Sequence, residues 1–367
     1  MLGAILSLPA QAATLSAADV TMPAGATATV PLLFASEGQT IAGLQFDITP
    51  DPSTRIRIFP GAQLGAAGKV VYTAGLPNSG VRAVIIGFNL EPLRDGELLR
   101  PLISIDPSAA PGSSQLHLDH IVATDSSGQP VAFQAADINL QIQAATAGAP
   151  AVLSVVNGAS LLPGPLSPGE IVTILGGPAL AATAAVRINA APAPVLYSGP
   201  GQVNAIVPFG LDTTTTATVD LSSDQQPLGT AASQPTAAVA PAIFSVGGNG
   251  GGPGAILNED YSINSPSNPA ARGSVVIIYG TGLGALNPAI ADGSVATDPS
   301  AAVAPVSATV AGSPADVLYA GSAPTLIAGV AQINIRIPAD VPPASAAPVV
   351  LTVAGVSTQP SITVAIR

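Results

Sequence analysis

The chain has two histidines, three residues apart in His117-Leu118-Asp119-His120. Two imidazoles around a carboxylate are the raw material of a metal site or an acid–base pair. On a strand, however, alternation sets His117 and Asp119 on one face and His120 on the other. The imidazoles are therefore predicted not to share an ion, and a structural or surface role is expected for both.

Other constellations are weaker. Serines are numerous, but no G-x-S-x-G elbow accompanies them, so a serine hydrolase is not supported. Paired carboxylates for glycoside hydrolysis need two acids across a cleft; the nearest pairs, Asp47 with Asp51 and Glu259 with Asp260, fall at turns, where acids cap and solvate. The loop carrying Asn258, Glu259, Asp260 and Asn264 gathers the oxygens that calcium prefers, without EF-hand spacing. It is the one metal candidate. The glycine run 247–254, GGNGGGPG, lacks the Lys-Ser/Thr of a phosphate cradle and is read as a flexible turn. No residue is assigned to catalysis or to cofactor binding, and the ligand-binding residues are not fixed by any motif.

The elements that would position these groups are strands. The 367 residues include 38 Gly and 37 Pro, with short Val, Ile, Thr and Ala runs between them, which predicts an all-β chain. That length suits three sandwiches, each with its own core. Only 8% of residues are charged. The net charge of −11 is spread evenly, with six basic and eleven acidic residues over 13–143 and four and ten over 150–367. No basic footprint for nucleic acid exists. Without cysteine there are no disulfides or thiolate sites. Met1 to Ala13, with Ala10-Gln11-Ala12 as a cleavage pattern, is read as a truncated signal peptide, so a secreted or cell-surface address is expected. No apolar stretch is long enough for a membrane-spanning helix.

One stretch is written twice. Pro168 to Gly176, PGEIVTILG, is answered by Arg272 to Gly284, RGSVVIIYGTGLG. Val195-Leu196-Tyr197 returns as Val317-Leu318-Tyr319, and Gln202-Val203-Asn204 as Gln332-Ile333-Asn334. The offset grows from 104 (Gly169 to Gly273) to 122 (Tyr197 to Tyr319) to 130 (Gln202 to Gln332). Order kept under a growing offset means one unit duplicated with lengthened loops. The matched tyrosines are expected to pack at sandwich corners, leaving Tyr72 and Tyr261 freer.

These repeated strands resemble immunoglobulin-like IPT/TIG domains. As a pair, over about 148–367, they resemble the uncharacterised Solibacter-type C-terminal domain of acidobacterial secreted proteins. Gly25 to Leu32, Ile41 to Ile48, Asp95 to Leu99 and Asp125 to Val131 resemble cohesin domains and related carbohydrate-binding modules, over about 14–143. That likeness implies a jelly-roll-type sandwich that docks a dockerin through one sheet face or, in relatives, binds polysaccharide.

The expected organisation is 1–13 signal peptide, 14–143 cohesin-like sandwich, 144–150 linker, 151–246 first Ig-like unit and 247–367 second Ig-like unit. The expected function is non-catalytic extracellular recognition or adhesion, with a polysaccharide or an extracellular, possibly dockerin-like, protein as partner. The alternative is a self-associating envelope or matrix component. With 3% aromatic residues and no Trp, a flat aromatic strip for crystalline polysaccharide is not expected.

Overall fold

A computed structural model describes residues 12–87, 89–144, 151–176, 185–199, 201–223 and 226–367. The leader expected over 1–13 lies almost entirely outside them, although Ala13 is buried and opens a strand. The linker expected over 144–150 is described only at Ala144.

The chain is all-β, as three consecutive sandwiches. In the first, one sheet contains Ala13–Ser16, Leu32–Ala35, Gly96–Ile105 and Thr54–Pro60, with Thr27–Thr29 and Phe133–Ala135 at its margins. The facing sheet runs Val20–Pro23, Ile138–Gln143, Gly112–Thr124, Gly43–Pro50, Val81–Ile86, Val70–Gly75. Leu32, Phe34, Phe46, Ile48, Ile85 and Leu116 close the core between them. Ile138–Gln143 shows the mechanism plainly: every second residue, Ile138, Leu140 and Ile142, is buried while its neighbours face outward. Pro31 lacks an N–H and separates Thr27–Thr29 from Leu32–Ala35, both paired with Gly96–Ile105.

The second sandwich has a core of Val172, Ile174, Val203, Val219 and Leu221 between a four-stranded and a five-stranded sheet. In the third, Ser313–Ser322 pairs with Val306–Val310 through its first residues and with Ala331–Arg336 through its last, so a single strand passes from one layer to the other.

The duplication is structural as well as sequential. Ile171–Leu175 pairs antiparallel with Gln202–Ile206, and Val275–Thr281 with Ala331–Arg336. The partner strand carries an irregularity at the same place in both copies, between Val195 and Tyr197 and between Val317 and Tyr319. Gln202 Nε2 donates to Asn204 Oδ1 at 2.9 Å, and Gln332 Nε2 to Asn334 Oδ1 at 3.0 Å.

The sandwiches are packed on one another. Phe59 and Leu102 of the first bury against Val156 and Leu175 of the second. Thr281 of the third accepts from Ile171 N at 2.8 Å and donates to Gly329 O at 2.9 Å. The glycine run does not behave as a flexible turn. Gly250, Gly251 and Gly252 are buried, Gly252–Pro253 pairs with Ile362 and Thr363, and any Cβ on Gly250 would strike Ser160 O. Glycine is required there because backbone meets backbone where three sandwiches adjoin.

Candidate functional site

Gly43–Pro50 lies in the middle of the first sandwich's second sheet. Its Leu44, Phe46 and Ile48 point into the core, so Gln45, Asp47 and Thr49 point out. Register then fixes two rows across four strands. One reads Val122, Gln45, Val84, Tyr72; the next reads Asp119, Asp47, Arg82, Ala74.

Asp47 is buried although it faces outward. Arg82 covers it in a two-point contact, Nε to Oδ1 at 2.6 Å and Nη2 to Oδ2 at 2.7 Å. That hydrogen-bonded guanidinium holds the Asp47 carboxyl below the usual carboxylate range, against the opposing effect of burial.

His120 completes the cluster, and here the expectation from alternation fails. The pairing of Gly112–Thr124 with Gly43–Pro50 slips between Asp119 and Val122, and His120 takes a left-handed φ of 49°. The extra residue of a bulge breaks strict alternation. His120 therefore shares the outer face with Asp119, Nδ1 lying 2.8 Å from Asp119 Oδ1 and 3.4 Å from Asp47 Oδ2. His117 is on the same face but turns to Asp137, Nδ1 to Oδ2 at 2.9 Å. The imidazoles do not converge. Asp47, Asp119 and His120 bring ligand-type atoms within 4.8 Å of one another, yet both Asp47 oxygens are engaged by Arg82. The group is an ion-pair network built on a guanidinium.

On one side of this network lies a polar cleft of about 570 Å³ whose lining includes Asp19, Asp51, Gln115, His117, Asn139 and Gln141. Its side chains are already cross-linked: Gln115 Nε2 donates to Asn139 Oδ1 and Asn139 Nδ2 to Asp19 Oδ1, both at 2.9 Å. On the other side are exposed apolar groups, with Val122 51% and Tyr72 47% accessible. The carboxylate pair Asp47 and Asp51 is not arranged as a catalytic couple. Arg82 holds the first, and the second accepts from Ser114 Oγ at 2.7 Å.

The calcium candidates form a hydrogen-bonded loop instead of a cage. Asn258 Oδ1 accepts from Asn264 Nδ2 at 2.9 Å, Asn264 Oδ1 accepts from Ala365 N at 2.8 Å, and Asp260 Oδ1 accepts from Ser262 N and Oγ. Glu259 is exposed beside them. With both amide oxygens facing N–H donors, these contacts give the calcium expectation no support. Tyr319 Oη donates to Ser322 O at 2.7 Å, and a Cβ on Gly199 or Gly321 would meet the hydroxyl of Tyr197 or Tyr319. Each tyrosine thus folds over the glycine two residues on. Tyr261 is 74% exposed.

Sequence reasoning missed Glu170, which is 1% exposed. Its Oε1 accepts from Asn157 Nδ2 at 2.9 Å and its Oε2 from Ser167 N at 2.8 Å. Burial nevertheless pushes its carboxyl up to about 8. The available signal was an acid directly before Ile171–Leu175, a run of β-branched and aliphatic residues that is buried throughout.

No protein-family profile matches the chain, and no curated protein matches it. Solved structures similar to it include CaCohA2 from Clostridium acetobutylicum, 20% identical, covering 36% of this chain and 92% of that one, with TM-score 0.32. The non-cellulosomal cohesin from the hyperthermophilic archaeon Archaeoglobus fulgidus is 16% identical, with coverage of 36% and 93% and TM-score 0.32. The sixth cohesin of Acetivibrio cellulolyticus scaffoldin B, in complex with a Cel5 dockerin mutant, is 15% identical, with coverage of 36% and 100% and TM-score 0.33. No helix among the described residues is long and apolar enough to cross a membrane.

Proposed function

We propose that this chain is a secreted, non-catalytic recognition protein whose first sandwich captures an extracellular protein, of dockerin-like type, on the outer face of its second sheet. The carrying observation is the pair of adjacent rows, Val122-Gln45-Val84-Tyr72 and Asp119-Asp47-Arg82-Ala74. Exposed apolar groups next to an organised charge network combine burial energy with orientation, the two needs of a specific interface. The two repeated sandwiches serve as the base that presents this face.

The test is surface-immobilised full-length protein probed with a panel of dockerin-type domains and a glycan array, with Val122→Glu/Val84→Glu run in parallel. Capture of a dockerin-type domain by the parent protein, lost in the double variant, is the expected result. Capture that survives the double variant removes the face from consideration.

A glycan is the second reading, favoured by the polar cleft of Asp19, Gln115, Asn139 and Gln141, whose amides and carboxylates suit sugar hydroxyls. Array binding that responds to Gln115→Ala/Asn139→Ala and not to the Val122/Val84 pair would select it.

A further inference from the structure

The opposite sheet of the first sandwich carries a feature that the proposed partner face does not involve. Thr54–Pro60 runs along that sheet with Arg55 and Arg57 both turned outward, two residues apart and hence about 7 Å apart along the strand. They line a groove of about 290 Å³ between the first and second sandwiches, together with Ser104, Asp106, Gly176 and Gly201. In a chain of ten basic residues and net charge −11, two adjacent guanidiniums in one groove run against the general field.

Both guanidiniums are held in place by one nitrogen each. Arg55 Nη1 donates to Pro52 O at 2.9 Å and Thr54 O at 3.2 Å. Arg57 Nη1 donates across the junction to Gln202 Oε1 at 2.8 Å, and its guanidinium lies 5.5 Å from the Phe59 ring centre. Among the described residues no other hydrogen bond engages their remaining N–H donors, and pre-positioned forks favour planar oxyanions. Gly176 and Gly201 of the second sandwich also line the groove. Asp106 supplies the opposite polarity. Its carboxyl is held below the usual range by Ser108, with a further contribution from Arg55, and Ser108 occupies only Oδ1. The lining therefore offers two cations and one ionised acceptor.

We infer that this groove binds a hydroxylated monocarboxylate of sugar-acid size, with the carboxylate on Arg55 and Arg57 and a hydroxyl donating to Asp106. A phosphate monoester, with about two negative charges at neutral pH, would set excess charge beside Asp106. A neutral sugar would leave the guanidiniums unmatched. The groove sits at the small end of ligand pockets, about 300–1,000 Å³, which suits a single ring. A uronic acid has this chemistry, either free or within a polymer.

The test is calorimetric titration of the full-length protein with galacturonate and separately with polygalacturonate, with galactose as the neutral control. Galacturonate is expected to bind at one site, more weakly as salt rises, while galactose gives no signal. Arg55→Gln/Arg57→Gln should weaken binding about tenfold or more, and Arg187→Gln, whose guanidinium is exposed elsewhere, should not. Arg57→Lys keeps the charge and loses the fork, so it should fall between parent and double variant even if the latter proves unstable by circular dichroism. Binding of polymer alone, still dependent on Arg55 and Arg57, supports the site and assigns the ligand to a chain. Absence of both signals, or binding indifferent to the arginine substitutions, overturns the proposal.

Discussion

Arg82 and Asp47 form a two-point ion pair between adjacent strands, at 2.6 and 2.7 Å, with the carboxylate buried beneath the guanidinium. Because the pair holds the Asp47 carboxyl low in the folded state, its contribution is present above the unfolded value of about 3.9. It is lost as pH falls through the folded value. The expected outcome is a urea midpoint that drops between pH 6 and pH 3 in the parent and drops less in Asp47→Asn. Arg82→Ala should be less stable than the parent at pH 6, since it leaves a buried carboxylate unpaired. An Asp47→Asn profile parallel to the parent's would show that the pair is not the acid-sensitive element.

Glu170 has the opposite sign. Its folded carboxyl is raised to about 8, so from about pH 4.5 upward the folded state retains a proton that the unfolded chain has released. Stability contributed by this residue falls with rising pH by up to about 1.4 kcal/mol per unit, and the loss levels off above about 8. Glu170→Gln should flatten that slope and gain on the parent as pH rises from 5 to 8, measured by denaturant titration across the range.

Thr281 joins two sandwiches through one hydroxyl, accepting from Ile171 N and donating to Gly329 O. Thr281→Val keeps the shape but leaves a buried N–H without a partner, which costs about 1–3 kcal/mol. Thr281→Ser should recover most of the loss. A loss in Thr281→Ser with none in Thr281→Val would assign the contact to the methyl group, which Val keeps, and not to the hydroxyl.

Phe59 is nearly inaccessible where the first sandwich meets the second. Phe59→Ala should cost about 3 kcal/mol or more. It should also uncouple the melting of the two sandwiches, visible in calorimetry as a broadened or split transition. A single sharp transition, merely shifted, would mean that other contacts carry the coupling.

Strand patterns were the most legible part of this chain. Leu44, Phe46 and Ile48 announce an inward face, and the paired Gln-x-Asn and Val-Leu-Tyr segments announce a duplication, in which the Gln-to-Asn side-chain bond forms in both copies. Thr54–Pro60 carries the same signal, Arg55 and Arg57 alternating with Ile56 and Ile58. The candidate site was less legible. The side of the sheet that His120 faces depends on one backbone angle, which no alternation rule encodes. Asp47 finds Arg82 at 35 residues' distance through register, and Glu170 is enclosed only when Asn157 and the segment at Ala240 close over it.

Asn249 Nδ2 donates to Val71 O at 3.4 Å, and Gly65 lies against Pro360 and Ser361, so the first sandwich touches the third as well as the second. Three domains strung end to end would work as a tether, trading slack for range. A chain that doubles back has given up that range. A partner pulling on the outer face would load contacts on two sides at once, and the shock would be borne by a block instead of being taken up by hinges.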